Sequence, residues 1–191
     1  ALDSDLWKQM ISPSNGIEVL LPPETFVDPI ADLQSASSIV EYARSVYHVV
    51  ILDCGSAFGN WNLSMARDCD ELLLVATPDL PSLHAAQRVL TYFEQSRIDT
   101  SKLKIVINRV TKDVGLNSAN IAKSLECEIF QSIPADPDAI QKSLMEGKPI
   151  PANTAVGRTF ARLADALVNV KETGTRKASA KSGLFSSIFS R

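Results

Sequence analysis

The order of apolar runs along this chain predicts an α/β fold, an open and mostly parallel β-sheet flanked by helices. Three observations carry that expectation. Short β-rich runs alternate with helical stretches, the pattern of strand, crossover and strand rather than of a sandwich or a bundle. The runs are nearly continuous in apolar residues, as strands buried on both faces must be. With 191 residues and 45% hydrophobic content, the chain is also long and apolar enough to enclose a core as one domain.

Taken in order, the predicted strands cover residues 17–21, 48–53, 71–77, 103–108 and 128–133. The predicted helices cover 31–47, 61–67, 81–95, 118–125, 139–145 and 154–170. Pro22-Pro23 breaks the chain after the first strand, so a loop precedes the first long helix. Asp79-Leu80-Pro81 places an Asp before a proline in a first helical turn, and Asn117-Ser118 offers caps for the next helix. Crossovers between parallel strands are expected to be right-handed. No internal repeat at solenoid or propeller period interrupts the pattern.

Composition narrows the function classes. The formal charge of −3 divides unevenly: residues 171–191 carry +4 through Lys171, Arg176, Lys177, Lys181 and Arg191 against Glu172, which leaves −7 for the rest. An acidic body does not suit non-specific nucleic-acid binding. Cys54, Cys69 and Cys127 lack metal-ligand or disulfide-framework spacing and read as reduced thiols of a cytoplasmic protein. No run approaches the roughly eighteen apolar residues of a membrane span, and no secretory leader opens the sequence. The chain starts on Ala1 rather than Met, as expected of a piece of a longer protein.

Two predicted strands end in a polar residue suited to a nucleotide, Asp53 after Val49-Val50-Ile51-Leu52 and Asn108 after Ile105-Val106-Ile107. In an open parallel sheet, ligands bind outside the carboxyl ends of the strands, so the two are expected to face one crevice. Asp53, with Gly55 two positions on, reads either as a metal-side carboxylate before a phosphate-sensing loop or as an Asp that caps its own turn. Asn108, followed by Arg109, reads either as a donor and acceptor for a purine edge or as an Asn bonded to its own turn. Ile133-Pro134-Ala135-Asp136 can add backbone contacts to the same base. His48 and His84 lack partners at ligand spacing. No glycine-rich G-x-x-x-x-G-K-[ST] loop is present; the sole Gly-Lys pair, Gly147-Lys148, runs into Pro149.

Five segments in order then resemble a known family. They are Val49-Val50-Ile51-Leu52-Asp53-Cys54-Gly55 with Trp61 following, Glu71 through Thr77, Pro78-Asp79-Leu80-Pro81-Ser82-Leu83, Ile107-Asn108-Arg109, and Ile133-Pro134-Ala135-Asp136 with Gly147-Lys148-Pro149. Together they look like the CpaE/TadZ pilus-assembly ATPases, a branch of the MinD/ParA class of deviant Walker P-loop ATPases. The resemblance covers roughly residues 2–170. It implies a P-loop NTPase-like sheet whose first strand and phosphate loop are missing here, with ATP and Mg²⁺ as cofactors of the complete protein. Asp53 matches the strand-end Asp that holds the Mg²⁺ shell through water, and Asn108 matches the Asn that reads adenine. Pro134 and Asp136 match the segment beside the base. The implied nucleotide-binding set is Asp53, Gly55, Asn108, Arg109, Pro134 and Asp136, with no catalytic residue in this segment and no hydrolysis without the absent lysine. Gly55 departs from the class, which commonly has Pro there.

Family members bind ATP between two subunits, so the resemblance also implies a homodimer with pilus or secretion components as partners. The implied function is part of an ATP-dependent dimeric localisation and assembly switch for type IV (Tad/Flp) pili. A non-catalytic polar scaffold of the same fold and a chromosome or plasmid partitioning ATPase stand beside it. Trp61 reads as packing under the switch loop or as a partner contact. The expected domain plan is ATPase part over 1–170, flexible basic linker over 171–183 and amphipathic tail over 184–191. As a helix, the tail aligns Leu184, Phe185, Ile188 and Phe189 in one apolar stripe, which suits either a membrane surface or a protein partner. Burying that stripe roughly offsets the cost of ordering the tail, so membrane binding is expected to be weak and to depend on dimerisation. The expected location is cytoplasmic, peripheral at the inner face of the plasma membrane and polar.

Overall fold

The computed structural model describes residues 2–21, 33–56, 59–111 and 118–174, and side chains within these except 33–35 and 169–174. The chain divides into two compact units, Ala1–Asp68 and Cys69–Arg191.

In the first unit, α1 (Ser4–Met10) starts at Asp3, whose carboxylate accepts the backbone N–H groups of Asp5 and Leu6. β1 (Ile11–Ser14) and β2 (Ile17–Leu20) pair antiparallel, Ile11 opposite Leu20 and Ser14 opposite Ile17. The turn between them is Asn15-Gly16, both at positive φ (49° and 83°), as a two-residue hairpin of right-handed strands requires. α2 (Leu33–Val46) and α3 (Asn60–Asp68) complete the unit. Buried Trp7 donates its Nε1–H to the Tyr47 hydroxyl at 2.8 Å, and that hydroxyl donates to the Glu18 carboxylate. The carboxylate partner raises the Tyr47 pKa. Trp7 also lies 4.9 Å from the Tyr42 ring.

Two expectations are corrected here. The strand near residue 17 belongs to a local antiparallel hairpin and not to a parallel sheet, because the Asn15-Gly16 turn makes the preceding residues its partner. The run 48–53 forms no strand with any described residue. Its β-branched composition favours extension, yet a strand exists only where another backbone takes up its N–H and C=O groups. Without that partner Val49 and Leu52 are exposed and Ile51 is 88% exposed.

The second unit holds the predicted parallel sheet. β3 (Leu72–Ala76), β4 (Leu103–Val110) and β5 (Ile129–Pro134) pair in that order, all parallel. Between and after them run α4 (Leu80–Gln95), α5 (Ser118–Leu125), α6 (Pro137–Glu146) and α7 (Ala155–Gly174). Central β4 alternates between two cores, as the period of two demands. Ile105 and Ile107 join Ala76, Leu83, Ala86, Leu90, Ile121 and Leu125, whereas Val106 joins Ile133, Val156 and Leu163. Edge strand β3 is covered on one face only: Leu72, Leu74 and Ala76 turn inward while Leu73 and Val75 (56%) are exposed. Central β4 is the most deeply buried, and β5 also reaches both cores, Ile129 against the first and Phe130 and Ile133 in the second.

The helix boundaries follow local chemistry. Asp79 caps α4 by accepting the Ser82 N–H at 2.9 Å, with Pro81 in the first turn. At its other end Arg97, at φ 55°, and Ile98 donate to Glu94 and Phe93 carbonyls, closing a Schellman motif without glycine. Thr154 caps α7 by accepting the Gly157 N–H at 2.9 Å. A Cβ on Gly157 would lie 2.1 Å from the Pro151 carbonyl oxygen, so glycine there lets the helix meet the preceding backbone. α7 continues past residue 170, to Gly174. Asn117 and the tail residues Leu184, Phe185, Ile188 and Phe189 lie outside the described residues.

Candidate functional site

At the carboxyl ends of β4 and β5 the register slips. Ile107 pairs with Ser132 and Val110 with Pro134, so Asn108 and Arg109 together stand opposite Ile133 alone. This is a β-bulge, a feature that re-aims side chains at the ends of sheets and beside sites. Arg109 takes up the extra residue in the left-handed conformation, φ 58°. Asn108 Oδ1 accepts the Arg109 N–H at 2.9 Å, which leaves both N–H donors of its amide outside that bond. Asn108 is half-buried and Arg109 exposed.

The neighbouring segment is tied to the same place. The Ala135 N–H donates to the Val110 carbonyl at 2.9 Å, clipping Pro134-Ala135-Asp136 beside the bulge. Asp136 then caps α6 by accepting the Ala139 N–H at 3.1 Å, with Pro137 in the first turn. Four of the sequence-derived residues, Asn108, Arg109, Pro134 and Asp136, therefore meet at one end of the sheet. Asn108 thus makes the own-turn bond that is the alternative to a ligand role, and Asp136 serves as a helix cap.

The end of β3 adds a polar turn that is absent from the implied nucleotide-binding set. Thr77 N–H donates to Ser82 Oγ at 2.9 Å, and the Thr77 hydroxyl donates to Asp79 Oδ2. The Thr77 hydroxyl first, and then the Ser82 backbone N–H, hold the Asp79 carboxyl below its ordinary pKa. The signal was available: Thr77 follows an apolar strand just as Asn108 does.

Asp53 and Gly55 lie in the other unit. Asp53 Oδ1 accepts the Gly55 N–H at 2.9 Å, and the Cys54 carbonyl accepts from Asn62 Nδ2 at 2.9 Å, fastening this turn to the start of α3. Asp53 is exposed, so its second carboxylate oxygen suits a hydrated Mg²⁺, which is held by few carboxylates together with substrate phosphates. Gly55 has φ 61°, a conformation closed to proline with its φ near −65°. Trp61 is half-buried in the first turn of α3. Gly147, at φ 61°, ends α6, and Lys148 donates its N–H to Ser143; this Gly-Lys pair is a helix terminus and not a phosphate cradle. Among the described residues, no helix is long and apolar enough to cross a membrane.

No family model matches the chain. It is 28% identical over 134 residues to a putative septum site-determining protein MinD of Mesostigma viride, covering 66% of this chain and 46% of that protein. Indeed, the chain spans about half the length of the curated relatives it matches. Among solved structures, a ParA family ATPase from Chlorobium tepidum TLS superposes with TM-score 0.77 at 26% identity, over 85% of this chain and 70% of the other. A chain of the MinC:MinD cell division protein complex of Aquifex aeolicus gives TM-score 0.62 at 20% identity, over 80% and 63% of the two chains. Relatives and structures together support the MinD/ParA type of P-loop ATPase as the family to which this chain is related.

Proposed function

We propose that these residues are the base-reading and metal-side part of an ATP-dependent dimeric switch that localises or assembles Tad/Flp-type pilus machinery. The observation that carries the nucleotide reading is the bulged end of β4, where Asn108, Arg109, Pro134 and Asp136 converge. Asn108 supplies hydrogen-bonding groups for adenine, the 134–136 segment flanks the base, and Asp53 orients hydrated Mg²⁺. Bound Mg²⁺ would neutralise the phosphate charge. The lysine that grips the phosphates comes from outside these residues. The ordered CpaE/TadZ-like segments favour the pilus branch, and the apolar stripe 184–191 provides reversible attachment to the inner membrane face.

A division or partitioning ATPase is the second reading, favoured by the names of the relatives. The charge of −7 outside residues 171–191 weighs against its DNA-binding form. A scaffold that dimerises without nucleotide is the third. Calorimetry with Mg-ATP, run beside light scattering on the complete protein, separates them. Binding that drives dimerisation supports the switch, and dimerisation without binding favours the scaffold. Loss of surface pili on deletion, with division intact, selects the pilus branch.

A further inference from the structure

Four non-glycine residues among those described have positive φ. Asn15 sits in the hairpin turn, and Arg97 and Glu126 follow helix ends, all places where a left-handed residue closes an element. Arg109 alone takes that conformation inside a strand. An arginine keeps it only where its surroundings impose it. The imposing contacts here are the flanking pairs, Ile107 with Ser132 and Val110 with Pro134, which give Asn108 and Arg109 the space opposite one residue. The outcome is an Arg109 N–H presented to Asn108 Oδ1 at 2.9 Å.

Building on the base-reading proposal above, we infer that Arg109 is the positioning residue for Asn108 and acts through its main chain, so that adenine is told from guanine by a locked amide and not by the guanidinium. A free amide can rotate about its last torsion. It then meets the O6 acceptor of guanine with its NH₂ as readily as the N6 donor of adenine with its oxygen. Pinning Oδ1 to the backbone removes that choice. The NH₂ and the second lone pair of Oδ1 then present one donor and one acceptor in fixed order, the complement of an adenine edge. The Arg109 side chain is exposed and takes no part in the lock.

The test is the ratio of Mg-ATP to Mg-GTP affinity of the complete protein, measured by calorimetry, with thermal unfolding recorded for each variant. Asn108→Ala is expected to lower the ratio by about tenfold or more. Arg109→Gly, which keeps both the N–H and the left-handed conformation, is expected to hold the ratio to within about twofold. Arg109→Ile, whose branched side chain opposes that conformation, is expected to fall toward Asn108→Ala. Arg109→Asn, which tolerates the conformation, restores the ratio. If Arg109→Gly loses as much as Asn108→Ala, or a folded Arg109→Ile keeps the full ratio, the positioning role is wrong while base reading stands. If Asn108→Ala leaves the ratio unchanged, base reading fails and this inference with it. Should Arg109→Ile not fold, the comparison of Arg109→Gly with Asn108→Ala decides.

Discussion

Lys104 Nζ lies 2.8 Å from Glu71 Oε2 in a largely buried ion pair between β4 and the residue that precedes β3. The side chains are 14% and 20% exposed, and the ammonium also sits 5.0 Å from the centroid of the Phe130 ring on β5. One cation thus ties three neighbouring strands together at the amino end of the sheet. Replacing one partner alone strands a charge in a poorly solvated place. Lys104→Met is expected to cost about 2 kcal/mol, below the range for fully buried pairs because some solvent reaches this one. The double change with Glu71→Leu should recover most of the loss. Urea unfolding of the two variants checks this, and a double variant no better than the single one would refute it.

Gly157→Ala sets two effects of opposite sign against each other. Within a helix, Ala is favoured over Gly by about 1 kcal/mol. Here the new methyl would sit 2.1 Å from the Pro151 carbonyl oxygen, and backbone on both sides must move. The clash should win, with a net loss of about 2 to 3 kcal/mol. A stabilised Gly157→Ala protein in thermal unfolding would show that the approach of α7 to Pro151 is looser than described.

Arg97→Gly should act in the other direction. Arg97 holds φ 55° at the end of α4, and its backbone bond to Glu94 survives the change. Glycine relieves about 1 to 2 kcal/mol of left-handed strain and gives back part of it through a freer unfolded chain. A net gain of about 0.5 to 1 kcal/mol is expected in urea unfolding.

The Asp79 carboxyl supports the turn between β3 and α4 only while ionised. Its pKa is lowered in the folded protein, first by the Thr77 hydroxyl and then by the Ser82 backbone. Its contribution is therefore complete above the ordinary aspartate pKa and disappears as pH falls through the lowered one. Thr77→Val should move the Asp79 pKa back toward the ordinary value, read by carboxyl NMR titration. An unmoved titration would show that the hydroxyl does not set it.

For the tail, co-sedimentation with anionic liposomes should separate the intact chain from one ending at Gly183. Weak binding by the first, strengthened by dimerisation, is the expected result. Equal sedimentation of both would remove the membrane role of Leu184, Phe185, Ile188 and Phe189.

The sequence by itself determined β3, β4, β5 and the helices α4 to α7, because each rests on signals that act over a few residues. Asp79 and Pro81 start α4, the apolar run 105–107 makes a strand buried on both faces, and Asp136-Pro137 and Gly147 bracket α6. Asn15-Gly16 is an equally local signal, the turn of the β1–β2 hairpin. Tertiary structure alone decided what pairing and close approach control. Whether 48–53 becomes a strand depends on a partner backbone, which no apolar pattern can supply. Whether β4 passes Asn108 straight or in a bulge depends on how β5 slips beside it, a matter of register between segments more than twenty residues apart. Residue type placed Asn108 behind one apolar run and Pro134-Ala135-Asp136 behind the next, although β4 continues to Val110 and Asp136 caps α6. The bulge and the left-handed Arg109 that give the site its geometry came from the packing of one strand on the next.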